Sequence, residues 1–181
     1  MEQAVVCAGF GGQGVLLAGK ILARAGMDAG LDVTWLPSYG PEMRGGTANC
    51  TVVLSDEPIG SPIGENPDVL LAMNGPSLDR FESRVAEGGA IVVNRSLIAR
   101  DLTRKDVCGI FIAANDVARE LGEPRVANMI ALGAVVRALG ILPLETVKKA
   151  MTVELGAKGR ERLIALNQEA LERGYAAAPP R

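Results

Sequence analysis

Histidine is absent from this chain of 181 residues. That removes the commonest general base and the commonest metal ligand together. Aromatic residues make up only 3% of the sequence, so the core has to be built from Ala, Val, Leu, Ile and Met. Cysteine occurs at 7, 50 and 108 and never as a CxxC pair, which disfavours iron–sulfur ligation and a zinc ribbon. Each cysteine stands in a strand-like apolar run and is expected to be a buried small hydrophobe. No metal site is expected on this chain. No apolar run approaches the roughly 20 residues needed to cross a bilayer. No stripe of one charge appears either: 19 basic residues are dispersed among 21 acidic ones, for a net charge of −2. Nucleic acid and an anionic membrane surface are therefore poor partners. The first apolar stretch is short and ends in glycines, unlike a signal peptide, and the expected location is the cytoplasm.

What is present is an alternation of strand-like and helix-like segments. Gln3 to Ala8 reads as a strand, and Gly14 to Gly30 as an amphipathic helix with Ala18, Ile21, Leu22 and Ala25 on one face. Leu31 to Leu36 reads as a second strand stopped by Pro37, and residues 38–47 as a glycine-rich loop. Asn49 to Ser55 is β-rich and arrives without an intervening helix, so it is expected to run antiparallel. Further strands are expected at Val69 to Met73, Ala90 to Val93 and Val107 to Ala113. Helices are expected from Asn74 to about Glu87, from Asn115 or Asp116 to Leu121, over Val126 to Leu139, over Pro143 to Met151 and over Gly156 to Arg173. Val126 to Leu139 carries only Asn128 and Arg137 as polar residues, so it is buried on most sides, either by its own fold or by a partner. Residues 175–181 read as a frayed, flexible tail. The pattern implies one α/β domain over 1–181, with three α/β/α layers and a mostly parallel, mixed central sheet.

In open α/β sheets, ligands sit beyond the carboxyl ends of the strands. Here those ends carry GFGGQG, PSYGPEMRGG, NGPS and NRS, so one rim is built for close backbone approach. Gly9, Gly11, Gly12, Gln13 and Gly14 lie between a strand and a helix, a context that suits an anion at the helix amino terminus. Tight strand–helix packing would explain the same glycines. A nicotinamide dinucleotide also calls for an acidic residue at the end of the second strand, about 20 residues on. Leu36, Pro37 and Ser38 stand there instead, and Asp32 lies at the wrong end. A free-standing NAD(P)-binding oxidoreductase is thus the alternative. In the loop that follows, Arg44 beside Gly45 and Gly46 offers a guanidinium fork next to exposed amides, a receptor for phosphate or carboxylate. Glu42 would suit pairing with Arg44 and holding that loop rigid. Tyr39 and Asn74 complete the candidate rim. No nucleophile–base pair and no carboxylate dyad can be assembled, so no catalytic residue is assigned.

The segments AGFGGQGVLLAGKILARAG, LPSYGPEMRGGTANCTVVLSDEPIGSPI, AMNGPSLDRF and RVANMIALGA strongly resemble the gamma subunit of the 2-oxoacid:ferredoxin oxidoreductases. They are similar also to the homologous domain of single-chain pyruvate:ferredoxin oxidoreductase. The resemblance runs from Val5 to about Tyr175, and its wording is most like the 2-oxoglutarate type. It implies a Rossmann-like domain within a multi-subunit enzyme that decarboxylates a 2-oxoacid and forms an acyl-CoA. Such enzymes use thiamine diphosphate, Mg2+ and 4Fe–4S clusters, pass electrons to ferredoxin, and comprise alpha, beta and delta subunits beside gamma. The cofactors are expected on those partners and none on this chain alone. Gly9, Gly11, Gly12, Gln13, Gly14, Tyr39, Glu42, Arg44, Gly45, Gly46 and Asn74 would then face coenzyme A or the partner subunits.

Overall fold

The computed structural model describes residues 1–38, 47–156 and 163–179. Six strands form one sheet: β1 (Glu2–Phe10), β2 (Asp32–Ser38), β3 (Thr47–Ser55), β4 (Val69–Ala72), β5 (Ala90–Asn94) and β6 (Cys108–Ile112), in the order β2-β3-β1-β4-β5-β6. β1, β4, β5 and β6 are parallel, whereas β3 is antiparallel to both β1 and β2. The expected mixed sheet is present, and β3 alone runs against the rest. β4 and β5 are buried at every position, as strands covered on both faces must be. β2 continues through Pro37, where the sequence suggested a stop. β2 is an edge strand, and a proline nitrogen facing away from the ladder forfeits no hydrogen bond.

Helices α1 (Val15–Asp28), α3 (Ala114–Glu120) and α4 (Ala127–Leu139) cover one face of the sheet; α2 (Gly75–Phe81) covers the other. α5 (Leu144–Gly156) and α6 (Ile164–Ala177) pack outside α1 and α4, so the larger helical layer is two deep. This explains α4: its own fold encloses it, and Arg137 is its only residue that is not buried. Gly133 and Gly174 let α4 and α6 approach backbone to backbone; a Cβ on Gly174 would lie 1.7 Å from the Ile130 carbonyl oxygen.

Several boundaries differ from expectation: the helix expected from Gly156 is described from Ile164, with residues 157–162 outside the described residues, and Gly156 instead closes α5. α2 gives way at Glu82 to a single 3-10 turn instead of running to Glu87. α5 extends through Gly156, because Leu155 is buried along with Met151. α6 reaches Ala177, Arg137 Nη1 donates to the Tyr175 hydroxyl at 3.0 Å, and Ala178 is buried. The cysteine expectation holds for Cys7 and Cys50 and fails for Cys108, which is exposed on the opposite edge strand β6. Among the described residues no helix is long and apolar enough to cross a membrane.

Candidate functional site at the glycine rim

The loop between β1 and α1 is a tight turn in which Gln13 N–H donates to the Phe10 carbonyl at 3.1 Å. Gly12 and Gly14 adopt φ of 97° and 74°, left-handed conformations that any side chain would strain. Gly14 is the N-cap of α1 and supplies no side chain to it; the first turn contains no acidic residue. The opening amides of a helix have no intrahelical partner, and here no side chain caps them. They form a partial positive end next to exposed Gly12.

What holds this loop is a network of neutral amides. Gln13 Oε1 accepts from Phe10 N–H at 2.7 Å and from Asn74 Nδ2 at 3.0 Å, while Gln13 Nε2 donates to the Met73 carbonyl at 3.4 Å. Asn74 caps α2 by accepting from Ser77 N–H at 2.9 Å. Asn94, at the end of β5, donates to the Met73 carbonyl at 3.2 Å and to Asn115 Oδ1 at 2.7 Å. From below, Asn128 Nδ2 of α4 donates to the Gly14 carbonyl at 3.2 Å. Three strand ends and α4 are thereby tied to one loop.

The sequence-derived site residues thus divide. Gly11, Gly12 and Gly14 line the rim. Gly9 lies within β1, where a Cβ would meet Gln13 Oε1 at 2.7 Å and Val15 at 2.9 Å, so it serves close packing. Asn74 does not face outward as expected. It is 3% exposed, and both ends of its amide are used internally. Gln13 is likewise a scaffold for the loop. Tyr39, Glu42, Arg44, Gly45 and Gly46 lie outside the described residues; the flanking Ser38 and Thr47 pair near the same sheet end as the glycine turn. Asn128 and Asn115 escaped the sequence reading of the site, and Asn94 entered it only as the start of the NRS strand end. The one available signal was Asn128, a polar residue early in a helix otherwise almost wholly apolar.

Beside the turn lies a cavity of about 380 Å³, lined by Gly11, Gly12, Leu17, Lys20, Trp35 and Ala48 among others. It combines an aromatic wall, apolar leucines, one ammonium group and the open end of α1. Lys20 Nζ is 3.1 Å from Glu154 of α5, which positions it along the cavity's edge. On the other flank a hollow of about 230 Å³ adjoins Gly12, Gly14, Glu123 and Arg125. There Arg125 grips Glu123 through two hydrogen bonds, 2.9 and 2.8 Å, and holds its carboxyl down at about 2.

This geometry counts against a nicotinamide dinucleotide. β2 ends in Leu36, Pro37 and Ser38, without a carboxylate. β3 also intervenes between β1 and β2. At about 4.8 Å per strand spacing, the end of β2 is displaced by roughly one further strand from the glycine turn. An iron–sulfur cluster does not fit the donor set: a cluster takes four ligands, usually thiolates, and the chain's three cysteines are divided between neighbouring strands and the far edge. Among the described residues no group of three or more metal-ligating side chains converges.

Comparison with known proteins agrees with the architecture. Residues 4–177 match the family described as Pyruvate ferredoxin/flavodoxin oxidoreductase. Ketoisovalerate oxidoreductase subunit VorA of Methanothermobacter thermautotrophicus is 42% identical over 96% of this chain, which spans only 36% of VorA. The 2-oxoglutarate synthase subunit KorC of Methanocaldococcus jannaschii is 36% identical over 98% of this chain and 95% of its own length. Among solved structures, the keto/oxoacid ferredoxin oxidoreductase gamma subunit of Geobacter sulfurreducens superposes with a TM-score of 0.84 at 31% identity, covering 97% of this chain and 98% of that one. The 2-oxoglutarate:ferredoxin oxidoreductase of Magnetococcus marinus, solved with 2-oxoglutarate, coenzyme A and succinyl-CoA bound, gives 0.88 at 30% identity over 98% of this chain and 31% of that one. The chain belongs to the pyruvate ferredoxin/flavodoxin oxidoreductase family.

Proposed function

We propose that this chain is the gamma subunit of a multi-subunit 2-oxoacid:ferredoxin oxidoreductase, and that its glycine rim completes the coenzyme A side of a site carried by partner subunits. The carrying observation is the uncapped start of α1, set by Gly12 and Gly14 and opening beside Lys20 and Trp35. Backbone amides and a cation suit the pyrophosphate of coenzyme A, and the aromatic and leucine wall suits its apolar portions. Arg44, Gly45 and Gly46 are proposed to add a guanidinium and further amides to the same ligand. The decarboxylation chemistry belongs to thiamine diphosphate with Mg2+ on alpha and beta subunits, and electron transfer to ferredoxin belongs to 4Fe–4S clusters on beta or delta subunits. Support for that division is the poor donor set of this chain. 2-Oxoglutarate is the proposed substrate, because KorC matches nearly end to end whereas VorA is almost three times as long. A cytoplasmic location goes with this reading.

The test is a tagged chain purified from its native host. Thiamine-dependent and ferredoxin-like chains should accompany it, and the assembly should turn over 2-oxoglutarate in preference to pyruvate and ketoisovalerate. In that assembly, Arg44→Ala and Lys20→Ala should each raise the apparent KM for coenzyme A several-fold with thiamine content unchanged. Intact assembly with unaltered coenzyme A kinetics in both variants overturns the proposed role of the rim.

A further inference from the structure

The sheet is incompletely covered on the α2 side. α2 packs against β1 and β4, and the apolar cluster beneath it contains no residue of β2 or β3. Over those strands lies part of the loop of residues 56–68. Gly64 seats it there, since a Cβ at this position would stand 2.7 Å from the Ala4 Cβ and 3.3 Å from Thr51 Cγ2. Alternation along the strands assigns the side chains to this face. Val33 and Trp35 join the core beneath α1, which turns Asp32, Thr34 and Leu36 the other way. Val6 and Ala8 belong to the cluster beneath α2, so Glu2 and Ala4 point to the same side as Leu36.

The register sets Leu36 beside Thr51, the residue that Gly64 touches. Leu36 and Ile63 therefore flank Thr51, one from the edge strand and one from the loop. Leu36 is 45% exposed and Ile63 59%. They are adjacent, not singly scattered, and stand where a three-layer fold would place a helix. The charge around them has one sign. Residues 45–79 contain five carboxylates and no lysine or arginine. Ile63 borders a hollow of about 500 Å³ whose lining includes Glu2, Glu65 and Asp68 and no cation. Asp68 Oδ2 accepts from Ala4 N–H at 2.9 Å. Asp56 pairs with the Met1 ammonium, but among the described residues Glu2, Asp32, Glu57 and Glu65 have no ion-pair partner.

We infer that this face, the α2 side of β2 and β3 with the loop around Ile63, docks onto a partner subunit. The surface it meets presents apolar side chains to Leu36 and Ile63 and lysine or arginine to the carboxylates around them. The inference rests on the reading of this chain as a gamma subunit and concerns a face separate from the glycine rim. Charge selects the occupant. A second copy seated on the same face would set carboxylate against carboxylate, and nucleic acid or anionic lipid would be repelled as well. An uncharged surface would cover Glu2, Asp32 and Glu65 without pairing them, which is costly. A basic surface with apolar side chains satisfies both halves of the face.

The experiment compares the parent chain with the double variant Leu36→Arg, Ile63→Arg, each tagged and purified from the native host. The variant should recover its thiamine-dependent partner at least about tenfold less well than the parent. Both substitutions are at exposed positions, so the Tm of the free variant should stay within about 4 °C of the parent. Whatever assembly the variant still forms should keep its apparent KM for coenzyme A, which separates this face from the rim. Carbodiimide coupling of the parent assembly should join peptide 1–20, 25–44 or 45–80 to a lysine peptide of another subunit. Leu97→Arg, at a similarly exposed leucine beyond β5, should assemble as the parent does. Undiminished assembly of the double variant overturns the inference, as does equal loss in Leu97→Arg. A free parent chain that is a dimer, dissociated by the double variant, would make a second copy the occupant and overturn it too. A parent that recovers no other subunit defeats the gamma-subunit reading and this inference with it, an outcome distinct from an assembly indifferent to the double variant.

Discussion

The two faces of the sheet are stabilised by different means. On one, α1 and α4 are themselves covered by α5 and α6, and the tie from α4 to the glycine loop is a neutral amide. On the other, seven-residue α2 and the segment after β5 form a thin layer held by a charged cluster. At its centre is Glu82, 4% exposed. Its carboxylate accepts from the Thr103 hydroxyl at 2.9 Å and the Arg104 N–H at 3.2 Å, and pairs with Arg100 at 2.8 Å. Arg100 in turn reaches Asp79 at 2.7 Å. A thick layer buries enough apolar surface to be limited by fit. A thin one cannot, and recruits ion pairs to hold its loop down.

Substitutions can break this contrast from either side. The largest effect is expected on the thick face. Gly174→Ala places a methyl against the Ile130 carbonyl, a backbone atom that cannot rotate away. The loss should be about 3 kcal/mol, or roughly a 10 °C fall in Tm for a domain of this size, read by calorimetry. It should not depend on pH.

On the thin face, Glu82→Ala leaves Arg100 and Arg104 short of their buried acceptor. A loss of slightly under 3 kcal/mol is expected, since the pair is only partly desolvated, and Thr103 should lose exchange protection. Here pH matters. Burial alone would raise the Glu82 carboxyl, but Arg100, Thr103 and Arg104 outweigh it and hold it below the usual range. A carboxyl lowered in the folded state contributes stability that is complete above its unfolded value of about 4.3 and is lost as pH falls toward its folded value. Thermal melts taken downward from about pH 6 should therefore show an acid-dependent loss below about pH 4.3 that shrinks in Glu82→Gln. An unchanged acid limb would remove Glu82 from the account.

The smallest global effect belongs to the rim between the two faces. Gln13→Ala removes the acceptor for Phe10 N–H and Asn74 Nδ2, at a cost of about 1–2 kcal/mol. Its local effect should be larger than its global one, with faster exchange at residues 10–14 while α4 and α6 stay protected. Equal loosening of all elements would show that the amide network supports the whole domain and not the loop.

Much of the fold was legible in the sequence because strand–helix alternation and burial periodicity are local. The antiparallel run of β3 followed from the lack of a crossover helix. Its insertion between β1 and β2 did not, since strand order depends on pairing energies between distant segments. Pro37 misled because a proline ends a central strand and is tolerated on an edge, and the sequence does not say which strand is an edge. Cys108 misled for the same reason. At the site, the glycine turn was legible from spacing alone. The inward turn of Asn74 was not, because an asparagine before Gly-Pro reads equally well as a ligand contact or as a helix cap. The tie from Asn128 to Gly14 spans 114 positions and leaves no local trace.

The sealing of α4 has a practical corollary. A helix so oily would be a liability if it waited for another polypeptide to shield it, since the free form would stick to itself. Because α6 and the sheet already do the shielding, α4 contributes almost nothing apolar to the surface of the chain. A contact with another polypeptide would therefore be made by surfaces other than α4.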